Sequence, residues 1–111
     1  RGRRLFGAGQ DREAAGELRR ALFLSPYDAE AHLLLGQVHL RSGRLSEAVA
    51  ALTISLWSQE TVAARIALAR ARLAADDPAA ARRELDRALV LDPGSAEALA
   101  LVALLESDDL R

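Results

Sequence analysis

Cysteine is absent from the sequence of 111 residues, which excludes disulfide bonds, thiolate zinc sites and a cysteine nucleophile and leaves the redox compartment undetermined. Aromatic residues account for only 4% of the chain, so the sequence has little that favours strands. Alanine and leucine are by far the most frequent residues, which indicates helices throughout. Because 50% of the residues are apolar, a disordered tail is excluded, and the length fits one domain.

An excess of basic residues is also missing. Fifteen arginines stand against sixteen acidic residues, so the formal net charge is −1. Non-specific binding to phosphate backbones needs a basic surplus, so nucleic acid is not expected as a partner. The longest uncharged run, residues 48–59, contains Thr53, Ser55 and Ser58 and is too short to span a bilayer, so direct membrane insertion is not expected.

Methionine, lysine and asparagine are absent as well. Without methionine, Arg1 is not a translation start, and we expect the chain to be part of a longer protein. The lack of lysine and asparagine is typical of proteins from GC-rich bacterial genomes, which predicts a bacterial origin.

An internal repeat organises the chain. The segment ALFLSP at 21–26 reappears as ALVLDP at 88–93, and AEA at 29–31 reappears at 96–98, in each case 67 residues later. A middle copy divides this distance into spacings of 34 and 33 residues, in three sets: Ala14, Ala48 and Ala81; Leu18, Leu52 and Leu85; and Leu22, Leu56 and Leu89. The repeat is therefore 34 residues long.

Within a repeat, apolar residues recur at helical spacing on either side of a turn, so each repeat is predicted to be a helical hairpin. The turns are marked by Gly7 to Gly9, by Ser42-Gly43 and by Asp76-Asp77-Pro78. Asp77 is expected to accept hydrogen bonds from the first backbone amides of the helix that begins at Pro78. The predicted helices cover residues 1–8, 11–24, 29–42, 45–57, 62–75, 78–91 and 96–106.

Residues at fixed places in each repeat resemble the signature of the tetratricopeptide repeat, W-x2-L-G-x2-Y, then A-x3-F, then A and P. The second repeat carries the matching residues His32, Leu35, Gly36, His39, Ala48 and Leu52, with Ser55 and Glu60 at the small-residue and proline places. The third repeat carries Arg65, Leu68, Ala69, Arg72, Ala81, Leu85, Ala88 and Pro93. Its second half is close to the signature, whereas its first half has arginine at both aromatic places.

The resemblance covers essentially the whole chain and implies an all-α fold, a right-handed α-solenoid of about three tetratricopeptide hairpins. It implies a single domain over residues 1–111, with a partial repeat at 1–28, repeats at 29–61 and 62–95, and a terminal helix at 96–111. The partial repeats are either native caps or truncations. The two helices of a hairpin are expected to cross at small residues, which are Gly36 and Ala69, with Ala14, Ala48 and Ala81 on the opposing face.

No convergent set of titratable side chains points to catalysis, so no catalytic residue, cofactor or metal site is predicted, and the chain is not expected to be an enzyme. His32 and His39 lie two helical turns apart, about 10 Å, too far to share a metal, and are expected to pack at the aromatic places. The acidic pairs at 76–77 and 108–109 lack the spacing of a calcium loop and are expected to cap helices or face solvent. The arginines at 19–20, 82–83 and 87 alternate with acids and are expected on solvated faces, with an anion site as the alternative.

In a tetratricopeptide solenoid the first helices of successive hairpins line a concave groove, and the resemblance implies one here. It would be lined by Arg3, Phe6, Glu30, Leu33, Gln37, Leu40, Arg41, Ala63, Ile66, Arg70, Leu73, Ala100 and Leu104. Its apolar floor and arginine rim predict a protein or peptide partner, an amphipathic helix or extended segment with some acidic residues. A carboxylate clamp of lysine and asparagine is not expected, because the chain has neither. The alternative is that further helices of the same protein cover this surface.

The helix predicted at 45–57 has a single charged residue and is otherwise apolar nearly all round, so something should cover it. Ala50, Ile54 and Trp57 fall on the side that faces away from the hairpin, and Phe23 and Val90 repeat the place of Trp57. These five residues are predicted to form a convex interface with a copy of the chain or with another protein. The alternative is ordinary packing against neighbouring helices.

These patterns favour a protein-binding module that holds a partner peptide or helix in its groove, as an adaptor, assembly factor or chaperone. The first alternative is a scaffold that self-associates through the surface around Phe23, Ile54 and Trp57, which would make the chain a homo-oligomer. The second alternative is a regulatory domain of a larger enzyme.

Overall fold

Six helices make up the part of the chain that the structure describes. The computed structural model describes the backbone of residues 2–109 and the side chains of residues 10–107. Over that backbone no strand occurs, and the helices are α1 (Gly2–Leu24), α2 (Ala29–Arg41), α3 (Leu45–Ser58), α4 (Val62–Ala74), α5 (Pro78–Leu91) and α6 (Ala96–Asp109). The predicted all-α class, built from helical hairpins, is confirmed.

The first helix differs from the prediction. The sequence predicts a turn between Gly7 and Gly9, but α1 runs through both glycines without a break. The segment holds no proline, and a glycine weakens a helix by only about 1 kcal/mol relative to alanine, so the helical residues on both sides join. The two helices predicted at 1–8 and 11–24 are therefore one helix of 23 residues.

The other helices begin where the sequence predicts, because a capping side chain stands before most of them. Asp28, Thr61 and Asp77 each accept a hydrogen bond from the amide of the third residue on, at 3.0, 3.2 and 3.1 Å. Ser95 accepts in the same way at 3.3 Å. Pro78 is the first residue of α5, as predicted. The helix ends also agree closely, except that α6 extends beyond its predicted end to Asp109.

The chain divides into two compact units, which we call unit 1 (Arg1–Gln59) and unit 2 (Glu60–Arg111). In unit 1, α2 and α3 form a hairpin, and α1 packs against α2. In unit 2, α4 and α5 form a hairpin, and α6 packs against α5. Each unit therefore holds one complete hairpin and one further helix.

Each unit also has a core of its own. In unit 1, Ala15, Leu35, Val38 and Ala51 cluster together, and Ala14, Leu18 and Leu22 pack against them while partly exposed. In unit 2, a core cluster is made of Ile66, Ala69, Ala81, Leu85, Ala88, Ala98, Leu101, Val102 and Leu105. The spacing of these buried residues is the helical spacing that the sequence shows.

Gly36 marks the crossing of α2 and α3. A Cβ atom at this position would lie 2.6 Å from Cγ of Leu52 and 2.7 Å from its Cδ2. The Leu52 side chain is fully buried, so it has little room to withdraw. At the same place in α4, Ala69 is fully buried in the core of unit 2. The expectation that these positions must be small because the helices cross there is confirmed for Gly36.

Candidate functional site

A cleft of about 450 Å³ lies in unit 1 between α1 and α2. Each helix contributes four residues at the spacing i, i+3, i+4 and i+7, which places them on one helical face. They are Ala14, Glu17, Leu18 and Ala21 of α1 and Leu34, Gln37, Val38 and Arg41 of α2. The volume is within the range of ligand-binding pockets. The walls are mainly apolar, and three polar side chains stand among them.

The α1 side of this cleft is more exposed than the equivalent places in α3 and α5. Ala14 and Leu18 are half-buried and Ala21 is exposed. Their equivalents in the repeat are at most 1% exposed: Ala48, Leu52 and Ser55 in α3, and Ala81, Leu85 and Ala88 in α5. In the two hairpins these residues are buried where α2 packs on α3 and α4 packs on α5, whereas in α1 Ala14 and Leu18 are only partly covered by the core of unit 1.

Charged side chains flank the cleft. Arg41 Nη2 donates to Asp11 Oδ1 at 2.7 Å, which ties α2 to α1. The Arg41 side chain is 59% exposed, so the pair contributes little to stability. Glu17 on α1 is also exposed. The site therefore has an apolar floor, an ion pair between its two helices and a further carboxylate, that of Glu17, on α1.

In unit 1, some of the residues predicted for the concave groove are accessible and others are buried or half-buried. Gln37 and Arg41 line the cleft, and Glu30 is exposed. Leu33 is only 8% exposed and Leu40 is half-buried. Leu33 therefore offers almost no apolar surface to a partner.

In unit 2, the predicted groove residues are placed differently. Ile66 is buried in the core, and Leu73 packs against that core. Arg70 forms an ion pair with Glu97. Leu104 is 57% exposed, and two alanines are also exposed, Ala63 and Ala100. The side chains of Arg3 and Phe6 lie outside the described residues, and a groove that combines both units stays a prediction.

The residues predicted for the convex interface are mostly exposed. Phe23 is 86% exposed, Trp57 80% and Val90 82%, while Ala50 is exposed and Ile54 is half-buried. Among the other large apolar side chains, Leu24 is 84% exposed and Tyr27 79%, and the sequence analysis does not assign either of them to the interface. An interface formed by these residues stays a prediction.

The two histidines at the aromatic places of the second repeat are buried and hydrogen-bonded. His32 Nε2 donates to the carbonyl oxygen of Pro26 at 2.8 Å. His39 Nδ1 accepts from Arg44 Nε at 3.1 Å. The expectation that both histidines pack between helices is confirmed, because they are 8% and 4% exposed.

An ion-pair cluster replaces the aromatic residues in the third repeat. Arg65 Nη1 donates to Glu84 Oε1 at 2.7 Å, and the same arginine binds both carboxylate oxygens of Glu60. These hydrogen bonds from Arg65 lower the pKa of Glu60. Arg72 Nε lies 3.9 Å from Glu84 Oε2, so one carboxylate stands between two guanidinium groups. The cluster joins α4 to α5 and explains how arginine is tolerated at places that the signature gives to tryptophan and tyrosine.

His39 predicts a pH dependence of stability. Burial lowers its pKa below 6.5, with further lowering by Arg44 and Arg19 that Glu47 opposes. The unfolded chain therefore binds the proton at a higher pH than the native chain does. The stability that neutral His39 contributes is fully present above about pH 6.5 and is lost as the pH falls from there through the native pKa.

The measurement is urea denaturation from about pH 8 to about pH 5 for the wild type and for His39→Asn. Other titrating groups act equally in both chains, so the difference between them isolates His39. We expect the wild type to lose its advantage over the variant as the medium becomes acidic. A constant difference across the series would show that His39 does not carry this dependence.

Two further classes of site are not found in the part of the chain that the structure describes. Among those residues, no three His, Asp or Glu side chains are grouped so that they could hold a metal ion. No described helix is long and apolar enough to cross a membrane.

Comparison with known proteins agrees with the repeat architecture. Residues 1–59 match one family model described as tetratricopeptide repeat, and residues 62–105 match a second model of the same description. No curated protein matches the chain. Tetratricopeptide repeats generally mediate interactions between proteins and are typically non-catalytic. Since the first match alone covers more than half of the sequence, the chain belongs to the tetratricopeptide repeat family.

Proposed function

We propose that this chain is a protein-binding module that holds an amphipathic segment of a partner in the cleft between α1 and α2. The observation that carries the proposal is that Ala14 and Leu18 are only half-buried and Ala21 is exposed, at places that are fully buried in both complete hairpins. Apolar surface that a repeat normally buries, left accessible in a concave site, is the surface on which a partner gains most from desolvation.

The chemistry of the cleft describes the segment that fits it. Leu34 is 40% exposed and supplies an apolar contact opposite α1. The Arg41 side chain stays 59% exposed beside Asp11 and favours an acidic residue in the partner, and Glu17 on α1 favours a basic one. A helix with an apolar stripe and charges on both edges meets these conditions, as in the binding of helices to grooves. Such a module would act as an adaptor, an assembly factor or a chaperone.

The test is selection of binding peptides from a random library, followed by calorimetric titration of the enriched peptides. Leu34→Glu places a charge on the apolar wall, and we expect it to weaken binding at least tenfold, a loss of about 1.4 kcal/mol. Leu34 is already partly exposed, so the substitution should leave the fold intact. Leu91→Glu is the matched control, since Leu91 is 44% exposed and lies in unit 2.

Enriched peptides should also share an apolar stripe with an acidic residue. Arg41→Gln should weaken the binding of these peptides and make their affinity less dependent on salt. Equal affinity of these peptides for the wild type and Leu34→Glu would place the binding site elsewhere. Failure to enrich any peptide motif would contradict the proposal as a whole.

A further inference from the structure

The outward face of α1 carries three exposed arginines, Arg12, Arg19 and Arg20. None of the ion pairs between described side chains involves any of them. They lie at the spacing i, i+7 and i+8, and Phe23 follows at i+11, so the four side chains fall within about 100° of the helix circumference. We call these four residues the basic stripe of α1. Phe23 is 86% exposed, so the stripe ends in an uncovered aromatic ring.

The acidic residues of α1 leave this stripe largely without compensation. Asp11 is held by Arg41 at 2.7 Å, and Glu17 lines the cleft on another side of the helix. Glu13 stands at the edge of the stripe and forms no ion pair among the described side chains. The stripe therefore presents three positive charges with one carboxylate at its margin.

The places of the stripe are exposed in an inner helix as well. In α5, which packs on both α4 and α6, the equivalent residues are all exposed: Ala79, Asp86, Arg87 and Val90. These places therefore point away from the neighbouring helices even in a helix that has two packed neighbours. The exposure of the stripe follows from its position in the repeat.

The charge of the stripe, in contrast, is particular to α1. The three arginine places hold uncharged residues in α3, namely Ser46, Thr53 and Ile54. In α5 they hold Ala79, Asp86 and Arg87. The repeat therefore folds without three arginines at these places, and unpaired exposed charges contribute little to stability. A binding role accounts for the stripe where a structural role does not.

A further cation stands near Arg19. Arg44 Nε donates to His39 Nδ1 at 3.1 Å. Burial lowers the pKa of His39 most, and Arg44 and Arg19 lower it further while Glu47 opposes them, so both arginines lie near this ring. A carboxylate that reaches Arg19 would therefore be attracted by Arg44 as well.

The composition of the stripe favours an acidic segment of a protein over other anionic partners. A guanidinium group binds a carboxylate through two parallel hydrogen bonds, and exposed aromatic rings are common anchors in protein interfaces. Nucleic acid binding needs a basic surplus, which a chain of net charge −1 lacks. An anionic membrane would attract the arginines but repel the acids beside them, Glu13 and Glu47.

We propose that the basic stripe of α1 is a second docking surface, and that it binds an acidic segment of a protein partner with an aromatic or large apolar residue at one end. From Arg12 to Phe23 the stripe is about 16 Å long, which an extended segment spans in about five residues. Carboxylates of the segment contact the arginines, and its apolar residue packs on Phe23 and on Leu24, which is also exposed. The cleft between α1 and α2 lies on another side of the helix, so the two surfaces are separate.

The test uses the full 111-residue chain and two libraries of peptides about eight residues long, enough to cover the stripe. The acidic library is built from Asp, Glu, Phe, Leu and Gly, and the neutral library has Asn and Gln in place of Asp and Glu. We expect peptides to be enriched from the acidic library alone. Fluorescence anisotropy then measures the affinity of the enriched peptides. An equal yield from both libraries would overturn the inference, since charge would not decide binding.

Arg19→Gln combined with Arg20→Gln should weaken the binding of the enriched peptides about tenfold. The matched control is Arg83→Gln combined with Arg87→Gln, which removes the same charge from exposed places of α5 and should change the affinity by less than about twofold. All four residues are exposed, and thermal unfolding checks that both double variants fold. Equal losses in the two double variants would mean that the peptides respond to net charge alone, and the inference would fail.

Phe23→Ser tests the apolar end of the stripe. We expect it to weaken binding roughly fivefold, because the exposed ring loses its contact with the peptide. Val90→Ser is the matched control, since Val90 holds the same place in α5 and is 82% exposed. Unchanged affinity in Phe23→Ser would contradict the predicted apolar anchor.

Two further arms separate this inference from its alternatives. Leu34→Glu should leave the acidic peptides bound, since Leu34 lines the cleft. If Leu34→Glu abolished their binding and the Arg19 and Arg20 variant did not, the peptides would occupy the cleft, which would overturn the inference and leave the proposed function intact. Vesicles of phosphatidylserine and phosphatidylcholine form the second arm. Vesicle binding that is lost in the Arg19 and Arg20 variant, without any enrichment of acidic peptides, would assign the stripe to a membrane instead of a protein.

Discussion

Leu85→Ala is expected to lower the free energy of unfolding by about 2–5 kcal/mol, the range for a leucine removed from a core that does not collapse around the gap. Leu85 is fully buried among residues of α4, α5 and α6. Leu52 stands at the same place in unit 1 and is also fully buried, so Leu52→Ala should cost a similar amount. Urea denaturation followed by circular dichroism measures both losses.

Leu18→Ala is the matched control, because Leu18 occupies this place in α1. It lines the cleft and is half-buried, so the truncation removes fewer contacts and should cost about 1 kcal/mol. If Leu18→Ala were as costly as Leu85→Ala, the face of α1 would be covered in solution and the cleft would lose its physical basis.

Most helix positions could be predicted because the signals that set them are local. Asp28, Thr61, Asp77 and Ser95 accept from the first free amides of their helices, and each stands directly before an apolar periodic run. The crossing at Gly36 was also predictable, because the resemblance to the tetratricopeptide repeat gives this place to a small residue.

The course of α1 could not be read from the sequence in the same way. A Gly-Ala-Gly segment breaks a helix only when the surrounding packing requires a turn, since glycine is merely unfavourable in a helix. The local sequence does not distinguish a loop at this segment from one continuous helix that contains two glycines of low helix propensity. In the structure the two glycines lie inside one helix, which runs from Gly2 to Leu24.

The cleft was only partly predictable for the same reason. Gln37 and Arg41 were assigned to a binding surface, but Ala14, Leu18 and Ala21 were not, because their equivalents in the repeat are packing residues. Their exposure depends on whether another helix packs on them. The sequence of α1 alone does not show this. The signal that was available is the incomplete first repeat.

The burial of Ile66 shows a second limit of the sequence pattern. In α4 the buried residues include Ala64, Ile66, Ala67, Leu68 and Ala71, which occupy most of the helix circumference. Helical periodicity identifies the side exposed to solvent when that side is polar, and α4 has no continuous polar side. Which apolar residues of such a helix remain accessible is decided by neighbouring helices.

Gly36→Ala is expected to destabilise the chain by about 1–3 kcal/mol, although alanine favours helices more than glycine does. The new Cβ would lie 2.6 Å from Cγ of Leu52, so the buried leucine or the helix itself must shift. Gly16→Ala is the control, since Gly16 also lies within a helix but a Cβ there meets no atom within 4 Å. That substitution should stabilise the chain by roughly 0.5–1 kcal/mol.

A double-mutant cycle isolates the contact behind this prediction. In a Leu52→Ala background the two leucine atoms nearest the new Cβ are gone, and the next atom, the carbonyl oxygen of Ala48, is 3.4 Å away. Gly36→Ala should therefore become neutral or stabilising there, because only the gain in helix propensity remains. Urea denaturation of the four chains measures the coupling. If Gly36→Ala remained equally costly without the leucine, crowding by Leu52 would not be the reason that position 36 holds glycine.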